Sequence, residues 1–303
     1  MSYKRLTVLL CATQKGGAGK TTIADASHAV STAAGLDTLV VDVDDGNSGF
    51  QRRSGKTAAV ALDWLIEPPE AKAWAERHLT GKDFVIFDLG ANLLASLTPV
   101  TQFLGVLMPM LAKGGARIVF FAVASTNAPG TGRLVKTMRD DFNTLGEVRL
   151  IQNDIDGSGE FSPSLATAGL KKIPFGRIDP GIQAIRLRRV EPLLNVLRDP
   201  PPGHRLAMAR YASFVRDFAT HENPRDIFGE AAIPELQQLA AAAPAPLAYV
   251  LVQARQATDD AIAANLALRE AQTRLIATPL NDRSALAEAA LHLIERTKQY
   301  HAI

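Results

Sequence analysis

Apolar residues along this chain gather into short runs separated by polar or glycine-rich joints. Leu6 to Ala12, Thr38 to Val43, Phe84 to Phe87, Arg117 to Ala124 and Val148 to Gln152 have strand length, and Leu170 to Ile173 reads as a sixth strand ending at Pro174. Between them Ile23 to Ala34, Ala58 to Leu65, Thr98 to Ala112 and Gly132 to Asn143 read as helices. Strands alternating with helices predict an α/β fold, a doubly wound and mostly parallel sheet covered on both faces. In such sheets ligands bind at the carboxyl ends of the strands. Acidic residues stand at two of those ends, in Asp42-Val43-Asp44-Asp45 and in Asp88-Leu89-Gly90-Ala91. No internal repeat is visible.

The composition shifts after residue 199. Pro200-Pro201-Pro202-Gly203 reads as a hinge, followed by helix-like sequence to Thr220, and Asn223-Pro224 as a further break. From Ile233 onward the chain is rich in Ala, Leu, Gln and Glu. Pro244 and Pro246 interrupt it, and Leu247 to Thr273 and Ser284 to Tyr300 look helical. The expected organisation is a core over residues 1–222 and a helical C-terminal appendage over 233–303. The appendage packs on the core or mediates self-association.

A chain of 303 residues with 47% hydrophobic content and a formal net charge of +2 suits a globular protein of one large domain plus an appendage. The single cysteine, Cys11, excludes a disulfide framework and reads as buried packing in the first strand. Lys4 and Arg5 are not followed by the long apolar run of a signal peptide, and no run spans a bilayer. The expected location is cytoplasmic.

The chemistry concentrates in Lys15-Gly16-Gly17-Ala18-Gly19-Lys20-Thr21-Thr22, between the first strand and the first helix. Strand, glycine-rich turn and helix are the context of a phosphate-binding loop. The glycines let backbone N–H groups turn toward phosphate oxygens, and the helix that starts near Lys20 adds its positive end. Lys20 brings a charge to the β/γ-phosphates, and the Thr21 hydroxyl suits Mg²⁺. The usual GxxxxGK[ST] pattern places glycine where Gln14 stands here, and a second lysine, Lys15, opens the loop. This deviant phosphate loop resembles that of the ParA/MinD family of P-loop ATPases. The resemblance implies ATP and Mg²⁺ as ligands, with Lys15 reaching across a nucleotide-sandwich homodimer to the partner's phosphates. The related iron–sulfur reductases need two cluster thiolates per chain, which a lone cysteine does not provide.

The same resemblance implies roles for the strand-end acids. Asp42 would help hold the Mg²⁺ water shell, Asp44 would position the attacking water, and Asp88 would hold Mg²⁺ through water. Phosphoryl transfer needs such positioning and charge neutralisation more than covalent chemistry. Asn153 and Pro174, after the fifth and sixth strands, match positions where the family reads adenine, and an amide both donates and accepts along that edge. Asp45 replaces the family's usual proline. Asp88-Leu89-Gly90-Ala91 replaces the usual Asp-x-Pro-Pro and resembles the TraL-type ATPases encoded with plasmid conjugation genes.

Arg177, Arg186, Arg188, Arg189, Arg198, Arg205, Arg210 and Arg216 crowd one segment against Asp179, Glu191 and Asp199. Many ParA-like proteins bind DNA without sequence preference through basic C-terminal residues. Arg186, Arg188, Arg189, Arg205 and Arg210 are the candidates here, with a solvated helix face or internal pairing as the alternative. The last helix carries Leu291, Leu293 and Ile294, but Glu288 and Glu295 interrupt its basic face, so it reads as a packing helix rather than a membrane anchor. His28 reads as a surface or packing residue, and His78, His204, His221, His292 and His301 lack metal-type spacing. Two functions follow: a dimerising switch ATPase that positions or transfers plasmid or other DNA complexes, and a scaffolding ATPase that recruits a protein partner through its tail without touching DNA.

Overall fold

The computed structural model describes residues 3, 5–13, 16–43, 49–62, 66–90, 99–126, 131–161, 169–241, 266–273, 275 and 283–301. Seven strands form one sheet: β1 (Thr7–Ala12), β2 (Thr38–Val43), β3 (Val60–Ala61), β4 (Phe84–Leu89), β5 (Arg117–Ser125), β6 (Glu147–Asn153) and β7 (Lys171–Phe175). Their spatial order is β3-β2-β4-β1-β5-β6-β7, and every neighbouring pair is parallel. The helices of the first half are α1 (Lys20–Ala33), α2 (Gly49–Ser54), α3 (Ala71–His78), α4 (Pro99–Lys113) and α5 (Thr131–Phe142). Those that follow the sheet are α6 (Pro180–Arg186), α7 (Leu193–Arg198), α8 (Arg205–Thr220), α9 (Glu222–Phe228) and α10 (Ile233–Ala240). After them come a helix α11 over 266–273 and α12 (Arg283–His301).

Burial on both faces explains why the central strands are apolar at almost every position. Side chains alternate between the faces. Val8, Leu10, Val85, Phe87, Phe120 and Ala122 belong to one core with residues of α3, α4 and α5. Trp74 of α3 sits edge-on to Phe103 of α4 at 5.6 Å and tilted against Phe87 of β4 at 6.1 Å. The alternate positions, among them Leu9, Cys11, Val40 and Ile86, face the layer of α1, α7 and α8 and are fully buried. The chain leaves β1 toward β2 on one side and leaves β5 toward β6 on the other. The crevice between these diverging connections opens at the carboxyl ends of the strands, where the phosphate loop lies.

Three local expectations change. Residues 58–62 carry no helix but the short edge strand β3, hydrogen-bonded to β2 through Val41 and Asp42, because a parallel sheet edge was available to an Ala/Val run. Asn223-Pro224 does not break the chain: both lie in the first turn of α9, where proline is tolerated because its missing N–H has no helical partner. The core also extends past residue 222. The compact units are Met1–Ala243 and Pro244–Ile303, since α10 buries Leu236 and Ala240 against α8. Within the second unit, Ala271 and Ala289 are buried while Leu291 and Ile294 of α12 stay exposed. No helix among the described residues is long and apolar enough to cross a membrane.

Two polar clusters tie the elements together, one between helices and one between α9 and the sheet. Arg186 of α6 is fully buried and pairs with Asp25 of α1 at 3.0 Å. Removing one member of such a pair strands a buried charge and costs about 3–5 kcal/mol. At the amino ends of β5 to β7, Arg117, Arg149 and Lys171 surround Glu147, and both arginines also hold Asp226 of α9. Burial opposes ionisation of Glu147, yet hydrogen bonds from Arg149, Arg117 and Lys171 hold its carboxyl at about 2. Hydrogen bonds from Arg149 and Arg117 hold Asp226 at about 2 as well.

Both carboxylates are more acidic folded than unfolded. Their stabilisation is therefore complete above the unfolded value of about 4 and is lost as pH falls toward 2. Asp226→Asn is expected to melt below wild type at neutral pH and to lose less stability between pH 4 and 2. Thermal melts across that range check this, and parallel curves for the two proteins would contradict it.

Candidate functional site

The phosphate loop owes its shape to glycines that other residues could not replace. Gly17 and Gly19 have φ of 75° and 91°, the left-handed region that a side chain disfavours. Gly19 is the residue before α1, and no side chain caps the helix there. The first turn of α1 also contains no acidic residue. Its opening N–H groups are thus left for an anion, with the positive end of the helix dipole behind them. Lys20 is 8% exposed, so its charge is held inside the site rather than in solvent.

Asp42 and Asp88 are partners in register on the adjacent strands β2 and β4, and both are almost fully buried. Asp42 Oδ2 accepts the Gln51 N–H at 2.9 Å, which anchors α2 to the end of β2. Burial pushes the Asp88 carboxyl up to about 7; the nearby Thr21 hydroxyl and the charges of Lys20 and Arg53 draw it down, and the charge of Asp42 adds to the rise. Both Asp88 oxygens are nevertheless buried without a well-aligned hydrogen-bond partner among the described residues. Two neighbouring carboxylates, one unsatisfied, beside a threonine hydroxyl form the hard-oxygen donor set that a magnesium ion requires next to phosphates. Thr21, Asp42 and Asp88 therefore fit the cation. Cys11, in register with Asp88, is buried, and burial pushes its thiol up, which leaves it a packing residue.

A cavity of about 470 Å³ opens over the loop. Gly16, Gly17, Lys20, Thr21 and Thr22 form its floor, and Ile155, Phe175, Ile178 and Pro180 contribute an apolar wall. Asn153 lies at the inner edge: its Nδ2 donates to the Ala18 carbonyl at 2.7 Å, so one amide proton holds the loop itself. Pro174 is exposed in β7 and does not line the cavity; Phe175 and Gly176 take that place. Lys15 and Asp44 lie outside the described residues.

Of the arginine segment only Arg186 is fully buried, and the others are exposed or half-buried. Arg186 is buried, so it offers no contact to nucleic acid. Arg189 pairs with Glu191 and Asp199, Arg198 with Glu235, and Arg216 with Asp217. Arg188 contacts the His204 ring at 3.0 Å. Arg205 is exposed, and Arg210 is half-buried. Among the described residues no group of His, Cys, Asp and Glu forms a separate metal site. Sequence reasoning missed Arg53, which lines the cavity and donates from Nη1 to Thr22 Oγ1 at 2.9 Å. Nothing in the local pattern Gln51-Arg52-Arg53 distinguishes the arginine that turns inward from the exposed one beside it.

A methyl group at Gly19 would stand 2.1 Å from Asn153 Nδ2, on a backbone that already disfavours it. Gly19→Ala is expected to weaken nucleotide binding at least tenfold and to lower the melting temperature. Adding Asn153→Ala removes the clash but not the left-handed strain of about 1–3 kcal/mol, so it should restore only part of the stability. Melting curves with fluorescent-nucleotide titration check this, and wild-type behaviour of Gly19→Ala would contradict it.

No family model and no curated protein matches the sequence. Among solved structures, the chain is similar to the MinC:MinD cell division protein complex of Aquifex aeolicus at 13% identity and a TM-score of 0.46, covering 70% of this chain and 94% of the other. It is similar to the septum site-determining protein MinD complexed with Mg-ADP from Pyrococcus horikoshii OT3 at 15% identity and a TM-score of 0.46, over 78% and 97% of the two chains. A plasmid partition protein from Borrelia burgdorferi aligns at 11% identity and a TM-score of 0.36, over 64% and 99%.

Proposed function

We propose that this chain is a Mg²⁺-dependent P-loop ATPase of the ParA/MinD kind, acting as an ATP-dependent dimerising switch that positions or transfers plasmid or other DNA complexes. The observation that carries the reading is the buried carboxylate pair Asp42 and Asp88, set against a phosphate loop whose lysine, Lys20, is also buried. This combination serves a polyphosphate with its cation better than any neutral metabolite. Backbone N–H groups of residues 16–21 would cradle the phosphates, Lys20 would neutralise the β/γ oxygens, and Thr21, Asp42 and Asp88 would hold Mg²⁺. The bound cation would offset charge on the terminal phosphate during transfer to water. The apolar wall at Phe175, Ile178 and Pro180 suits the face of a base, and Asn153 stands close enough for its remaining polar atoms to meet the base edge. Lys15 would act across the dimer, and Asp44 would orient the attacking water. The Asp88-Leu89-Gly90-Ala91 ending favours the plasmid-transfer branch over partition.

A second reading, the scaffolding ATPase, is favoured by the pairing of Arg186, Arg189, Arg198 and Arg216 with acidic residues of the same chain. Arg188 and Arg205, which are exposed, and Arg210, which is half-buried, are the DNA-facing candidates. Light scattering on eluting protein, with ADP or ATP and with or without duplex DNA, tests both. The switch reading predicts an ATP-dependent dimer lost in Lys15→Ala, with DNA co-eluting unless Arg188, Arg205 and Arg210 are reversed to Glu. An ATP-dependent dimer that never retains DNA selects the scaffold, and a monomer in every nucleotide state contradicts the sandwich mechanism.

A further inference from the structure

Helix α2 is short, yet it is fastened on three sides. Asp42 Oδ2 accepts its Gln51 N–H at 2.9 Å. The buried Arg186 donates from Nη1 to the Arg53 carbonyl at 3.3 Å, while its Nη2 holds Asp25 Oδ2 at 3.0 Å and reaches Ser54 Oγ at 3.5 Å. Ser54 Oγ in turn donates to Asp25 Oδ1 at 3.5 Å. The backbone of Arg53 is thus fixed to α1 and α6 by a buried ion pair, and only its side chain extends into the nucleotide cavity. There the guanidinium spends one N–H on Thr22 Oγ1 at 2.9 Å, one residue beyond the threonine assigned to the cation. A guanidinium carries five donors in a planar fork, suited to two phosphate oxygens at once. Its charge already reaches Asp88, whose carboxyl it draws downward.

We propose that Arg53 is a phosphate-binding residue supplied in cis, whose guanidinium exchanges the Thr22 hydroxyl for oxygens of the terminal phosphates when a nucleoside triphosphate binds. The inference rests on the nucleotide-binding reading of the cavity and adds a specific discriminator to it. Lys20 and Arg53 approach the phosphates from different elements, α1 and α2. A diphosphate presents fewer oxygens to the second cation, so Arg53 favours the triphosphate state. Asp25, Ser54 and Arg186 are positioning residues: they hold the point from which the arm extends. Arg52, exposed on the same helix, serves as the internal control.

The test uses the full chain with Arg53→Ala, Arg53→Lys and Arg52→Ala. Titration with fluorescent ATP and ADP analogues in Mg²⁺ is combined with steady-state hydrolysis and melting curves. Arg53→Ala is expected to lose about 100-fold in kcat or in ATP affinity, the scale of one lost charge-stabilising donor. ADP affinity should fall several-fold less, and the melting temperature should stay near wild type. Arg53→Lys should recover only part, since an ammonium is a point charge. Arg52→Ala should behave as wild type. An unchanged ATP-to-ADP affinity ratio with unchanged kcat in Arg53→Ala overturns the proposal. So does a parallel loss for both nucleotides accompanied by a lower melting temperature, which would make Arg53 a purely structural link. Failure of wild type to bind either nucleotide overturns the underlying reading along with this one; normal wild-type binding with an unaffected variant overturns this one alone.

Discussion

A buried carboxyl group beside the glycine-rich loop organises this molecule. Asp88 stands next to the end of β4, buried beside a second carboxylate one strand away, with its two oxygens unsatisfied among the described residues. A buried charge in that position is unfavourable by itself. It becomes tolerable where cations converge, and Lys20 and Arg53 both lower its charging cost. The parallel arrangement makes the placement unavoidable. With β1, β2 and β4 adjacent and in register, their last residues meet on one edge, and the loop leaving β1 passes over them.

The remaining structure keeps that edge rigid. Asn153 holds the phosphate loop from β6 through the Ala18 carbonyl. Asp42 performs a second task by anchoring α2. The Asp25–Arg186 pair locks α1, α2 and α6 together behind the loop. Together these contacts join the loop, α1 and α2 to β2, β6 and α6. At the opposite ends of the strands, the Glu147–Arg149–Asp226 cluster closes the edge of the sheet against α9 and takes no part in the site.

The core strands were legible because burial on both faces writes itself as unbroken apolar runs. The glycine-rich turn between β1 and α1 was legible because its glycines are nearly contiguous. Strand β3 was not: two residues at a sheet edge carry no periodic signal, and Ala58 to Leu65 has the composition of a helix. Helix α9 was hidden by Pro224, which punctuates a helix start as readily as a break. Arg186 was misread because charge in sequence does not reveal burial. Arg186 looks like its neighbours Arg188 and Arg189, but only the fold brings Asp25, 161 positions away, to meet it. Arg53 escaped notice for the same reason, since its partner Thr22 lies 31 positions away.

The central claim is that the strand-end carboxylates and the phosphate loop form one site for a nucleotide with its cation. Calorimetric titration of ATP into wild type and Asp88→Asn, in Mg²⁺ and in chelator, tests it most directly. The account predicts binding by wild type that weakens sharply in chelator, and binding by Asp88→Asn that is nearly indifferent to Mg²⁺. Absence of nucleotide binding by wild type, or equal Mg²⁺ dependence in both proteins, would contradict it.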